Sequence, residues 1–310
     1  MAIHAAVRRL TPADLERAVG IDQSVTNRPR RPFYQKRLAA LAGDGGSTVA
    51  LGAEVGGRLA GFVLAHVLDG EFGGTAPVGV LDAIAVDPAT QHGGVARALG
   101  AALERALKAR GVRELRTEAE WTEHALVNFF GSAGFRLSPR VVLERGTDRL
   151  VEERATDDGG AGEAQPTVRS MTEQDLPAIV RLDRKITGRD RTPYYARKAA
   201  EVLRQSGVRV SLVAERGGDF AGFVMARVDL GEFGRTEPIA VLDTIGVSPA
   251  FARAGVGGAL LAQLVLNLGS LRVERIVTQV AWNDLGLLAF LDHAGFERSQ
   301  RLSFEKPIAV

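Results

Sequence analysis

Leu81 opens the stretch "LDAIAVDPATQHGGVARALGAAL", and Leu242, 161 residues further on, opens "LDTIGVSPAFARAGVGGALLAQL". The same offset pairs "LTPADL" with "MTEQDL", "GEFGGTAP" with "GEFGRTEP", Trp121 with Trp282, and "SAGF" with "HAGF". No insertion is needed anywhere, so the chain is two copies of one unit of roughly 145 residues, too long for a solenoid repeat and long enough to be a domain. Between the copies runs "VEERATDDGGAGEAQPT", charged, then glycine-rich, then carrying a proline, a linker by composition. The expected division is a first domain over 1–152, a linker over 153–164 and a second domain over 165–310.

Within each copy the pattern predicts one element order. Thr11 and Thr172 each precede an amphipathic run and have an Asp three residues later, the signal of a capped helix start. Pro32 and Pro193 suit the first turn of a second helix. "TVALGAEVGGRLAGFVLAHV" and "VSLVAERGGDFAGFVMARV" are strand pairs joined by Gly-Gly turns. A strand, a helix, a strand, a short helix and a last strand follow. The fold class expected is α/β, a mixed sheet with helices on both faces, built twice.

Composition narrows the function. A net charge of +2 over 310 residues gives no electrostatic footprint for nucleic acid. Without cysteine there is no disulfide, thiol nucleophile or thiolate metal site, and five scattered histidines have no metal-ligand spacing. No segment approaches the roughly 20 apolar residues of a membrane span, and the first residues do not read as a signal peptide. A cytoplasmic protein with no metal and no membrane partner is the expectation.

Gly93, Gly94 and Ala96 in the first copy, and Gly255, Gly257 and Gly258 in the second, stand between strand and helix. Small residues there let an anion reach the free amides of a helix start, so a phosphate or pyrophosphate is the expected guest. The turn matches neither a P-loop nor the complete dinucleotide fingerprint.

Val86-Asp-Pro followed by Gln91-His-Gly-Gly94-Val-Ala96 resembles the acetyl-CoA motif of the GNAT acetyltransferases, and the element order and closing "AGF" helices resemble that family across both halves. The resemblance implies two GNAT-like (acyl-CoA N-acyltransferase) domains in tandem, with acetyl-CoA as cosubstrate. It implies a cofactor site of Ile84, Val86, Gln91, Gly93, Gly94, Val95 and Ala96. In the second copy it implies Ile245, Val247, Arg253, Gly255, Val256, Gly257 and Gly258. Two departures stand out: Ala252 replaces the motif's Gln or Arg, and Phe130 and Leu291 occupy the place where many members carry a tyrosine acid for the leaving thiolate.

Transfer to an amine of pKa about 10.4 requires the neutral form, which a carboxylate can supply. Asp82 and Asp243 stand two residues before Ile84 and Ile245 and by strand alternation share their face; they serve either as bases or as structural carboxylates. Glu71 and Glu232 of the repeated "GEFG" are second candidates, against a reading as solvated turn carboxylates, and Glu118 and Glu120 become Gln279 and Ala281. Trp121 and Trp282 read as core packing ahead of ligand stacking. Arg28, Arg30, Tyr34, Arg189, Arg191 and Tyr195 lie where the resemblance puts the acceptor border; the arginines there hold an acidic group or the 3′-phosphate of CoA, or form a solvated helix start. The expected function is acetyl transfer to a primary amine of a small molecule or protein. The alternative is a CoA-binding regulatory or sensor protein with one or both domains silent.

Overall fold

The computed structural model describes residues 5–28, 30–41, 47–69, 76–148, 165–200, 210–230 and 238–309. In the first copy the chain forms β1 (Ala6–Arg9), α1 (Leu15–Thr26), α2 (Arg31–Ala40), β2 (Thr48–Val55), β3 (Arg58–Asp69), β4 (Pro77–Val86), α3 (Val95–Lys108), β5 (Glu114–Glu120), α4 (His124–Ser132), β6 (Arg136–Leu137) and β7 (Arg140–Gly146). The second copy repeats this as β8 (Thr167–Ser170), α5 (Leu176–Thr187), α6 (Thr192–Ala200), β9 (Leu212–Arg216), β10 (Asp219–Leu230), β11 (Pro238–Val247), α7 (Val256–Ser270), β12 (Arg275–Ala281), α8 (Leu285–His293), β13 (Glu297–Arg298) and β14 (Arg301–Pro307).

The local signals act as their chemistry requires. Both capping boxes form, with Asp14 accepting from the Thr11 amide and hydroxyl and Asp175 doing the same for Thr172. The hydrogen bond from Arg8 leads the forces that pull the Asp14 carboxyl down to about 2. Gly56–Gly57 and Gly217–Gly218 all have positive φ, the backbone of a two-residue hairpin turn whose twist matches the strands it joins. Val95, Leu99, Leu103 and Leu107 recur every four residues along α3 and are buried, so that helix lies on one face of its sheet. Phe33, Tyr34 and Leu38 of α2 pack with Phe62, Leu64, Ala83 and Ala85 on the other.

Among the described residues the two sheets each have seven strands, in the orders β1-β2-β3-β4-β5-β14-β6 and β8-β9-β10-β11-β12-β7-β13. Their last long strands are exchanged. β14, from the end of the chain, pairs antiparallel with β5 from Arg301 against Glu120 to Pro307 against Glu114. β7, from the first copy, pairs with β12 from Arg275 against Gly146 to Ala281 against Arg140. The compact units are accordingly Met1–Ser138 with Gln300–Val310, and Pro139–Asp229 with Pro238–Ser299. The expected division at 1–152 and 165–310 differs from this because each final strand completes the other copy's sheet.

The exchanged strands do equivalent work. Phe304 of β14 packs 5.5 Å from Phe130 in the first core, and Leu143 of β7 lies with Leu291 and Phe296 in the second. Lys306 donates to the Ala133 carbonyl at the end of α4 at 2.6 Å, and Arg145 donates to the Ala294 carbonyl at the end of α8. A cation at a helix C-terminus answers its unpaired carbonyls.

The exchange sets a crossed expectation. Phe304→Ala, at the end of the sequence, should cost about 3–5 kcal/mol and remove hydrogen-exchange protection from β5, far away in sequence. Leu143→Ala should instead deprotect β12. Deprotection of β12 by Phe304→Ala would show that each copy keeps its own strand.

Candidate functional site

The parallel pairing of β4 with β5 lasts for two residue pairs, Gly79 with Leu115 and Val80 with Arg116. Beyond Val80 the strands part. The first carbonyl left without a ladder partner, that of Leu81, accepts from the Thr117 hydroxyl at 3.1 Å. The second copy repeats the fork, with Ala240–Ile276 and Val241–Val277 paired and Thr278 donating to Leu242 at 2.9 Å. Thr117 and Thr278 were not singled out in the sequence; their recurrence at the shared offset was the available signal.

A cavity of about 1240 Å³ extends from the first fork. Its wall takes in Ile84 and Val86 of β4, Gln91, Gly93 and Gly94 of the turn, and Val95 and Ala96 at the start of α3. The turn carries two left-handed residues, His92 at φ 63° and Gly94 at φ 87°. A Cβ on Gly94 would meet no atom within 4 Å, so glycine serves the backbone conformation there and leaves its surroundings open. The first bond of α3 runs from the Ala98 amide to the Gly94 carbonyl, leaving the N–H groups of Val95, Ala96 and Arg97 without a backbone acceptor among the described residues. Gln91 donates to the Val86 carbonyl at 3.3 Å.

The corresponding turn of the second copy has Arg253 at φ 61° and Gly255 at φ 76°, and α7 starts with Ala259 bonding to Gly255. Val256 is buried in the core beneath, Ile245 and Val247 pack on that core, and Gly258 has open space. One contact differs in kind. The Phe290 ring stands 2.9 Å from where a Cβ on Gly257 would lie, whereas the first copy carries Ala96 at the wall of its cavity.

The expected proton acceptors are placed otherwise than strand alternation suggests. Leu64 pairs with Ala83 and Ala65 with Leu81, so Asp82 is the extra residue of a β-bulge. The bulge breaks the two-residue period: Leu81 and Ile84 face α3, while Asp82 turns toward α2. There His66 Nδ1 lies 2.8 Å from its carboxylate and Arg37 3.6 Å away, all three buried or nearly so. Asp82 is not among the cavity-lining residues. Asp243 is likewise enclosed, with Lys198 of α6 at 3.3 Å and Arg227 at 3.6 Å. Glu118 is buried and held by Arg301 of the exchanged strand at 2.9 Å. Glu71 and Glu232 lie outside the described residues. Among the described lining residues Glu104 is the one carboxylate, held by Lys306 at 2.5 Å.

The acceptor-border residues divide. Arg30 and Tyr34 are buried against Asp22, with Arg30 Nε 2.8 Å from the carboxylate and its Nη2 donating to the Tyr34 hydroxyl at 3.2 Å. Around Asp183, Arg191 Nη1 and the Tyr195 hydroxyl each donate to the carboxylate, at 3.2 and 2.8 Å. Burial raises both phenols above their ordinary pKa, so they stay protonated. These four residues pin α2 and α6 to α1 and α5, since a buried charge must be paired. Arg28 and Arg189 remain exposed beside them. Trp121 and Trp282 are also exposed, contrary to the core packing expected, because each sits in the turn after its strand. Phe130 and Leu291 are buried apolar side chains, so neither replaces the tyrosine acid.

The description "Acetyltransferase (GNAT) family" matches the sequence twice, over residues 21–135 and 176–296. The chain belongs to the GNAT acetyltransferase family. It carries two GNAT domains in tandem. A search of curated proteins found no match. Among solved structures, a GCN5-related glucosamine N-acetyltransferase region of a fungal multi-domain GH3 β-N-acetylglucosaminidase aligns with 98% of this chain at TM-score 0.70 and 14% identity; the alignment spans 38% of that protein. A GCN5-related N-acetyltransferase from Sphaerobacter thermophilus aligns with 99% of this chain and 96% of its own at TM-score 0.64 and 16% identity. A tandem GNAT protein from the clavulanic acid biosynthesis pathway covers 99% of both chains at TM-score 0.64 and 15% identity. At these identities the likeness is one of fold. Among the described residues no helix is long and apolar enough to cross a membrane, and no His, Asp and Glu group has the makings of a metal site.

Replacing Asp82 with Asn would leave His66 and Arg37 beside a neutral amide. The expected result is a loss of about 3–5 kcal/mol in stability, seen as a lower midpoint of thermal unfolding, with kcat of the folded protein within about ten-fold of the parent. An unchanged midpoint with a hundred-fold lower kcat would return Asp82 to the role of base.

Proposed function

We propose that this protein transfers an acetyl group from acetyl-CoA to a primary amine, and that the first copy holds the working site. The observation that carries the reading is the continuity of one cavity from the free amides of α3, along the open side of β4, to the fork and on to Val25 at the end of α1. When bound, acetyl-CoA supplies an acyl group activated as a thioester. The N–H groups of Val95, Ala96 and Arg97 suit its pyrophosphate, and the side of β4 freed beyond Val80 suits the amides of its pantetheine arm. The fit rests on donors that have no other backbone acceptor and on a glycine with open space around it.

The chain's own residues bind and orient. Among the described lining residues the one carboxylate, Glu104, is engaged by Lys306, and Asp82 faces away from the cavity, so in this reading the amine enters in its neutral form and gives its proton to water. The departing thiolate likewise takes a proton from water, since Phe130 offers none. The acceptor is a small molecule or a protein segment bearing a primary amine.

For the second copy we infer a structural role. Ala252 replaces Gln91, Phe290 stands over Gly257, and β14 of this copy is built into the first sheet. A silent second half is thereby retained, because without it the first lacks a strand. Cytoplasmic placement accords with a chain free of cysteine.

Two measurements test these readings. Gly94→Glu puts a carboxylate among the free amides, strains a left-handed position and should abolish acetyl-CoA binding and turnover. Gly255→Glu should leave most turnover intact; equal losses from the two changes would mean that both copies work. Log kcat/KM should climb with a slope near one up to the pKa of the amine. A plateau beginning two or more units below that pKa would show an enzymic base instead.

A further inference from the structure

The exchanged strand brings a charge to the cavity. Lys306 of β14 stands on the cavity wall with Glu104 of α3 and with Ser132, Ala133 and Phe135 at the end of α4 and just beyond it. Its ammonium lies 2.5 Å from the Glu104 carboxylate and donates to the Ala133 carbonyl at 2.6 Å. Among the described residues Lys306 is the one cation paired with Glu104. Glu104 follows Val95 along α3 at a distance of about 13 Å from the free amides. At the shared offset Arg145 matches Lys306, but Val265, buried in the second core, holds the place of Glu104. A carboxylate and the cation that cancels it are thus a feature of the copy with the described cavity.

We propose that Lys306 is a positioning residue of the first-copy site: by cancelling Glu104 it lets the cavity take a carrier that bears several phosphates. The last strand encoded by the second copy then completes the first copy's site in charge as well as in fold. This inference rests on the acetyl-transfer reading of the same cavity, because coenzyme A is what brings the negative charge. Both side chains are partly exposed, so the pair adds little to stability. Its consequence falls on what can enter. An uncancelled carboxylate on this wall would oppose a polyanion seated on the α3 amides, since like charges about 10 Å apart near a protein surface repel by an amount worth about ten-fold in affinity.

Calorimetric titration with coenzyme A reads binding apart from turnover. Lys306→Met keeps an apolar stem and should weaken binding about ten-fold. Glu104→Gln should bind at least as tightly as the parent, and the double variant should return to within about three-fold of it. Lys306→Arg, which keeps the charge and is the residue of the second sheet at this position, should also hold parental affinity. High salt should shrink the Lys306→Met defect. In the thiol-release assay that variant should raise KM for acetyl-CoA with kcat nearly unchanged. Its kcat/KM with the uncharged thioester S-acetyl-N-acetylcysteamine should fall by less than about three-fold. A double variant as weak as Lys306→Met, or an equal loss with the uncharged thioester, reduces Lys306 to a strut for α4 and overturns the inference. If Lys306→Met does not fold, a double variant about ten-fold weaker than the parent overturns it equally. Equal coenzyme A affinity in all variants overturns it while leaving acetyl transfer standing. The expected order of affinities without thiol release to any amine overturns acetyl transfer and leaves the part of Lys306 standing.

Discussion

A backbone carbonyl that leaves a sheet ladder inside a protein has to find another donor. At Leu81 and Leu242 the donor is a threonine hydroxyl from the neighbouring strand. This bond lets two parallel strands part after a pairing of only two residues without orphaning a buried group. The fork it permits is what the site depends on. The bulge at Asp82 lies on the same strand two residues past the last residue paired with β5, so the fork and the change of facing fall close together. The cavity thus opens at the fork, while the bulge on the same strand turns Asp82 to the opposite face.

The buried carboxylates around both sites are charges that hold helices. Asp82 and Asp243 are met by cations from α2 and α6, and Asp22 and Asp183 hold the tyrosine one turn before each cation and the arginine just ahead of each helix. Breaking such a cluster leaves an uncompensated charge, which is more costly than the cluster is stabilising. The exchanged strands add a second kind of dependence. Phe304 fills the first core and Leu143 the second, so stability in each unit draws on a residue encoded in the other copy.

Much of this was legible in the chain. The duplication, the Gly-Gly hairpins, the capped helix starts and the glycine turn before α3 are set by short-range chemistry that any copy of those residues would express. The turn residues from Gln91 to Ala96 come together on one wall because they are contiguous. The misread residues are those whose role depends on long-range placement. Alternation put Asp82 on the α3 face until one extra residue in the pairing with β3 reversed it. Arg30 and Tyr34 read as a basic border because their partner, Asp22, lies on the preceding helix. Trp121 read as core because its size favours burial, yet its turn projects it outward.

By itself the sequence determined the element order, the two-fold repeat and the backbone conformations at the glycines, since each follows from a residue and its near neighbours. Only the tertiary structure decided which copy receives which final strand. "RVVLERG" and "RLSFEKP" carry the same alternation, a cation at the same place and an apolar residue for the same socket. Local preference is therefore equal for either sheet. The choice falls to chain connection at Ser138–Pro139 and Ser299–Gln300 and to the packing of Phe304 against Phe130, interactions between residues too far apart for any local pattern to register.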